Sequence, residues 1–210
     1  MRLFKRYTFI FCCLLSLLFA LPLAASAQAP FKILVLGDSL SAAYNMPVEK
    51  GWVSLMATRL GDTYHVTNAS ISGQTTGNGV QQIDNLLKKH SPNLVILELG
   101  GNDGLRGQSL KTMRSNLSTM IEKSQALQSK VLLLGMKIPP NYGRRYTEKF
   151  EAIYQQLAEK YQTAFIPFFL QDIATKQELM QPDGIHPNAE AQPMLAKRVE
   201  EQVINIAKSQ

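Results

Sequence analysis

Five short apolar runs recur along this chain: Lys32 to Leu36, Tyr64 to Asn68, Leu94 to Leu99, Lys130 to Met136 and Ala164 to Phe169. Each is of strand length and rich in Val, Ile, Leu or Phe, with little polar alternation. Near-continuous hydrophobicity belongs to strands of a parallel sheet covered on both faces. The segments between them carry apolar residues at the helical period instead. Leu55, Met56 and Leu60 mark the first, and Val80, Ile83, Leu86 and Leu87 the second. Leu110, Met113, Leu117, Met120, Ile121 and Leu127 mark the third, and Phe150, Ile153, Tyr154 and Leu157 the fourth. A last helix is expected to present Met194, Leu195, Val199, Val203 and Ile206 on one face, with Asn188 as its N-cap. Strands alternating with helices require right-handed crossovers, so the expected architecture is a three-layer α/β/α sandwich. With no internal repeat, low-complexity tract or long linker, it forms one domain.

That domain is expected to span residues 28–210. The first 27 residues carry Arg2, Lys5 and Arg6, then an apolar stretch to Leu23, then Ala25-Ser26-Ala27. This is the order of a Sec signal peptide cleaved after Ala27. A retained anchor is the rival reading, but Pro22 interrupts an apolar core that is already short. Cys12 and Cys13 leave with the leader, so the exported chain is held together by its core rather than by disulfides. The formal net charge of +6 falls to +3 when three basic residues and no acidic ones are removed. No basic run with interleaved aromatics accompanies it, which argues against nucleic-acid binding. The expectation is a soluble exported monomer, periplasmic in a Gram-negative source.

In sheets of this kind the site lies at the carboxyl ends of the strands, where strand order reverses. Gly-, Asn- and Asp-rich stretches follow the first three strands: Gly37-Asp38-Ser39-Leu40, Ser70 to Thr76, and Gly100-Gly101-Asn102-Asp103. Ser39 stands where a turn exposes its hydroxyl, although a plain strand-to-helix turn explains the tetrapeptide equally well. As a nucleophile it needs a base. His65 falls within a strand and His90 at a helix end, where a cation complements the dipole. His186 has no such explanation. It lies in Asp183-Gly184-Ile185-His186-Pro187, a loop in which Asp183 can fold back onto Nδ1 and leave Nε2 free for a serine proton. Helix capping is the alternative for that pair. Acyl transfer also needs donors for a developing oxyanion. The backbone N–H groups of Ser39 and Gly73 and the amide of Asn102 each follow a different one of the first three strands. Asn102 also suits a turn. No zinc motif, dinucleotide fingerprint or P-loop appears, so no metal or other cofactor is expected.

Gly37-Asp38-Ser39-Leu40, Gly73, Gly101-Asn102-Asp103 and Asp183-x-x-His186 together resemble the four ordered blocks of the SGNH (GDSL-type) hydrolases. The resemblance covers essentially the whole chain beyond the leader. It is nearest to bacterial periplasmic thioesterase–lysophospholipases through Glu98 to Gly107 and Asp183 to Asn188. It implies a flavodoxin-like five-stranded parallel sheet of order 2-1-3-4-5. It further implies Ser39, Asp183 and His186 as the triad, with Ser39, Gly73 and Asn102 as the oxyanion hole. The implied substrates are acyl thioesters, aryl esters and lysophospholipids. Leu105, Ile138, Pro139, Pro140 and Tyr142 are candidates to line an apolar acyl groove. A carbohydrate O-acetyl esterase with a small polar pocket is the competing hydrolase, and a non-catalytic binding module the competing class.

Overall fold

The computed structural model describes residues 29–209, so the proposed leader lies outside the described residues. Its sheet has five parallel strands, β1 (Phe31–Gly37), β2 (Tyr64–Asn68), β3 (Leu94–Glu98), β4 (Lys130–Leu134) and β5 (Ala164–Ile166), in the order β2-β1-β3-β4-β5. The helices are α1 (Trp52–Leu60), α2 (Thr76–His90), α3 (Gly101–Leu105), α4 (Leu110–Ala126), α5 (Arg144–Tyr161) and α6 (Gln192–Lys208).

The strand order dictates the layers. The chain moves from β1 to β2 in one direction across the sheet, and every later crossover runs the other way. Right-handed connections therefore put α1 on one face and α2, α4 and α5 on the other. The packing agrees: α1 lies against α6, α2 against α4, and α4 against α5. The three central strands are buried almost throughout, from Ile33 to Leu36, Leu94 to Leu97 and Val131 to Leu134. Trp52, Phe150, Tyr154 and Phe169 fill the space between sheet and helices. Fully burying a side chain such as Phe150 is worth roughly 1.5–3 kcal/mol. β2, at the edge, is only half covered.

Several expectations need correction. β3, β4 and β5 stop before their apolar runs do, yet Leu99, Met136 and Phe169 stay buried. The loops themselves thread the core, through bonds such as Phe169 N–H to Gly135 O at 2.8 Å. Leu127 lies just past α4, where the chain turns outward, and is 61% exposed. Met194, in the first turn of α6, is 36% exposed because the apolar face begins at Leu195. Asn188 is not the N-cap of α6, which starts after Ala191. Its side chain is used earlier, donating to Glu178 O at 2.8 Å and accepting from Glu190 N–H at 3.0 Å. Gly101–Leu105 forms a short helix as well as a turn.

β1 has β2 on one side and β3 on the other, so the loops leaving β1 and β3 diverge at their carboxyl ends. Gly37 is level with Glu98 in the register. The crevice opened there holds Ser39 and Asn102.

Candidate active site

β1 ends at Gly37, where any side chain would displace the groups packed on the turn. A Cβ on Gly37 would lie 2.7 Å from Glu98 Oε2 and 2.8 Å from Ser41 Oγ. Asp38 then folds over the turn, with Oδ1 accepting the Leu40 N–H at 3.1 Å and its carbonyl accepting the N–H groups of Ser41 and Ala42. Such an Asx turn leaves the intervening Ser39 facing the crevice.

Ser39 Oγ lies 2.9 Å from His186 Nε2, and His186 Nδ1 lies 2.7 Å from Asp183 Oδ2. The carboxylate on Nδ1 selects the tautomer whose Nε2 accepts from the serine hydroxyl. The other oxygen of Asp183 accepts the N–H groups of Ile185 at 2.9 Å and His186 at 3.0 Å. The local sequence makes this closure possible: Gly184 takes φ +67°, and its N–H reaches Gln181 O at 3.0 Å. Partial burial acts to raise the pKa of Asp183. The three hydrogen bonds from Ile185 and His186, with the imidazole's charge, outweigh it and leave the group below its ordinary value.

Asp38 and Glu98 show the opposite balance. Burial raises Asp38 from 3.8 to about 6, against the lowering effects of the Leu40 N–H, the Asn102 amide and the charge of His186. Glu98, fully buried, is pushed well above 4.5 by desolvation and then by the neighbouring Asp38.

Asn102 lies at the start of α3. Its Nδ2 donates to Asp38 Oδ2 at 3.0 Å and to Gln74 O at 2.9 Å, which occupies both amide hydrogens. The N–H groups of Ser39 and Gly73, by contrast, find no backbone acceptor among the described residues. Gly73 follows β2 with φ +81°, and its carbonyl accepts from Arg106 at 3.2 Å. Asp103 anchors this loop from behind, accepting the Thr76 N–H at 2.9 Å and the Thr76 hydroxyl at 2.6 Å.

The fold thus gathers Ser39, Asp183, His186 and Asn102. The other histidines stay apart. His65 pairs level with Lys32 at the far end of β1, and His90 closes α2, roughly 20 Å of helix from Thr76. Of the proposed groove residues, Ile138 is buried in the core instead, because α3 packs on it through Gly104. Tyr142 turns its hydroxyl to Leu105 O at 2.8 Å. Exposed apolar side chains on the loops around the site include Tyr44, Ile71, Tyr142 and Ile185.

Two contributors escaped the sequence reading. Tyr44 lies against the His186 ring with centroids 4.3 Å apart. Gln181 joins the two loops: its Nε2 donates to Tyr44 O at 3.1 Å and Pro187 O at 3.2 Å, and its Oε1 accepts from Asn45 Nδ2 at 3.3 Å. No spacing rule links positions 136 residues apart. Glu98 did leave a signal, as a lone acid closing an otherwise apolar strand.

A doubly wound α/β sheet with a serine, a histidine and an aspartate hydrogen-bonded in sequence at its carboxyl edge defines a serine hydrolase. Residues 35–192 match the GDSL-like lipase/acylhydrolase family, and the chain belongs to it. It is 48% identical to an arylesterase of Vibrio mimicus over 194 residues, 91% of this chain and 97% of that protein. It is 42% identical to thioesterase 1/protease 1/lysophospholipase L1 of Escherichia coli K12, covering 87% of this chain and 88% of that one. The crystal structure of a psychrotrophic esterase, EstA from Pseudoalteromonas sp., inhibited by monoethylphosphonate, superposes with a TM-score of 0.81 at 40% identity. That match covers 85% of this chain and 99% of the other. The chain is therefore an esterase of the SGNH type, and the binding-module alternative falls.

Proposed function

We propose that Ser39 attacks the acyl carbon of esters and thioesters while His186 Nε2 takes its proton and Asp183 steadies the imidazolium that results. The oxyanion is received by the N–H groups of Ser39 and Gly73, which have no backbone acceptor of their own, and by Asn102. Because both hydrogens of the Asn102 amide are occupied, its donation to the oxyanion replaces the bond to Gln74 O. His186 then passes the proton to the departing alcohol or thiol, and water repeats the sequence on acyl-Ser39. The observation that carries this reading is the unbroken chain from Ser39 Oγ through His186 to Asp183, at 2.9 and 2.7 Å.

Aryl esters, acyl thioesters and lysophospholipids are the proposed substrates, from the names of the relatives. A carbohydrate O-acetyl ester is the second reading, favoured by the amides of Gln74, Asn78, Gln81 and Gln82, which with Ile71 and Ser72 line an open cavity of about 410 Å³ beside Gly73. A fluorophosphonate probe should label Ser39 and no other residue; absence of labelling overturns the mechanism. A p-nitrophenyl series from acetate to long acyl chains separates the substrate readings, since activity confined to acetate selects the second. No helix among the described residues is long and apolar enough to cross a membrane. Residues 1–27 are proposed as a cleaved leader directing the enzyme to the periplasm. The mass of the exported form tests this, and retention of residues 1–27 refutes it.

A further inference from the structure

Three carboxylates are buried among the described residues, Asp38, Glu98 and Asp103. Asp103 holds Thr76, and Asp38 holds its own turn and Asn102. Glu98 has no place in the acyl-transfer steps, yet it reaches the nucleophile's turn from a different strand. Its Oε2 accepts the Asp38 N–H at 3.2 Å and meets Ser41 Oγ at 2.7 Å, so it grips the chain one residue before Ser39 and two residues after it. Asp38 in turn accepts from Asn102, which follows Glu98 by four residues. The contacts therefore close a ring, from Glu98 to the serine turn, to the Asn102 amide, and back along the chain to Glu98.

Stability alone does not account for an acid here. Glu98 Oε1 has no hydrogen-bond partner among the described residues, and no basic side chain bonds or bridges to the group. A buried polar atom left without a partner is unfavourable, and it offsets part of what the bonds to the Asp38 N–H and the Ser41 hydroxyl contribute. We propose that Glu98 is a positioning residue for hydrolysis, fixing the Asp38–Ser41 turn so that Ser39 Oγ points at His186 Nε2 and the Asn102 amide sits over the same crevice. Desolvation and the nearby Asp38 push its pKa well above the ordinary value, which favours the neutral acid form. It acts as a hydrogen-bonding wedge, and a neutral amide of the same shape should replace it.

This inference rests on Ser39 as nucleophile, and the test keeps the two apart. kcat and KM for a p-nitrophenyl ester, the rate of fluorophosphonate labelling and Tm are measured on the wild type, Glu98→Gln, Glu98→Leu, Ser41→Ala and Ser39→Ala. Glu98→Leu should lower kcat and labelling rate of the folded enzyme by about 100-fold, as expected for a misplaced reacting group, with KM little changed and Tm lowered because the Asp38 N–H and the Ser41 hydroxyl lose their acceptor. Ser41→Ala should lower kcat by about tenfold, the scale of one hydrogen bond. Glu98→Gln should stay near the wild type. A folded Glu98→Leu with wild-type kcat overturns the proposal, as does a Glu98→Gln as impaired as the leucine variant. If Glu98→Leu does not fold, wild-type kcat in Ser41→Ala overturns it. Activity surviving in Ser39→Ala would instead refute the nucleophile.

Discussion

The two halves of the site are built from opposite materials. On the serine side, Gly37, Asp38, Ser41 and Glu98 are buried, and the turn is gripped from the neighbouring strand. On the histidine side, Asp183 to Ile185 are exposed, and the side chains of His186 and Asp183 are 17% and 37% accessible. That loop is held by its own turn bonds, by Gln181, and by Gln192, whose amide reaches Pro187 O and Asn188 O from the core. The difference shows in the carboxyl groups. Burial raises Asp38 and Glu98, while clustered N–H donors overcome partial burial and lower Asp183. In the proposed mechanism a rigid buried mount suits Ser39, the group that attacks, and a solvated one suits His186, the group whose charge changes at each step.

The largest effects are expected at the atoms where the two halves meet. Ser39→Ala and His186→Ala should each remove nearly all kcat for p-nitrophenyl esters while circular dichroism stays unchanged, since each deletes one partner of the proton transfer. Asn102→Ala should lower kcat by about 100- to 1000-fold with little effect on KM, because the amide meets an oxyanion absent from the ground state. If Asn102 serves only as a turn former, Tm will fall and kcat per folded enzyme will hold. On the exposed side, Gln181→Ala should cost about tenfold in kcat, the scale of one or two hydrogen bonds. Unchanged kinetics would show that the His186 loop holds itself.

The pH dependence of Tm sharpens the contrast, because the two carboxyl environments carry opposite signs. Glu98 retains in the native state a proton that the unfolded chain releases, so the wild type loses stability as pH rises from about the ordinary value of 4.5. Glu98→Gln lacks this dependence, and its Tm relative to the wild type should climb from pH 4 to 8. Asp183 contributes stability above its ordinary value of 3.8 that is lost as pH falls through its lowered one. The deficit of Asp183→Asn should therefore be full at neutral pH and close in acid. Thermal melts across this range check both, and parallel curves for the two variants would contradict the assignment. The smallest effect is expected at Leu127→Ser, within about 0.5 kcal/mol of the wild type by denaturant unfolding, because that side chain already faces water.

The sheet and the proposed reacting groups are legible in the chain for local reasons. Strand and helix periods are written in neighbouring residues. Gly37-Asp38-Ser39 and Asp183-Gly184-Ile185-His186 each fold within one loop, so their spacing foretells the Asx turn and the Asp183–His186 bond. Where the apolar runs stop being strands was not legible. Leu99, Met136 and Phe169 are as hydrophobic as the residues before them, and only the loops' passage through the core distinguishes them. The fates of Leu127, Met194, Asn188 and Ile138 likewise depend on what lies beside them rather than on what precedes them. The supports come from packing between distant parts of the chain. The Gln181 bridge to Tyr44 and Asn45, the Tyr44 ring on His186, and the grip of Glu98 on the serine turn join residues 57 to 142 positions apart. A hydrogen bond across that separation is set by the register of β1 against β3 and by the packing of loops over the sheet edge, which no local pattern encodes.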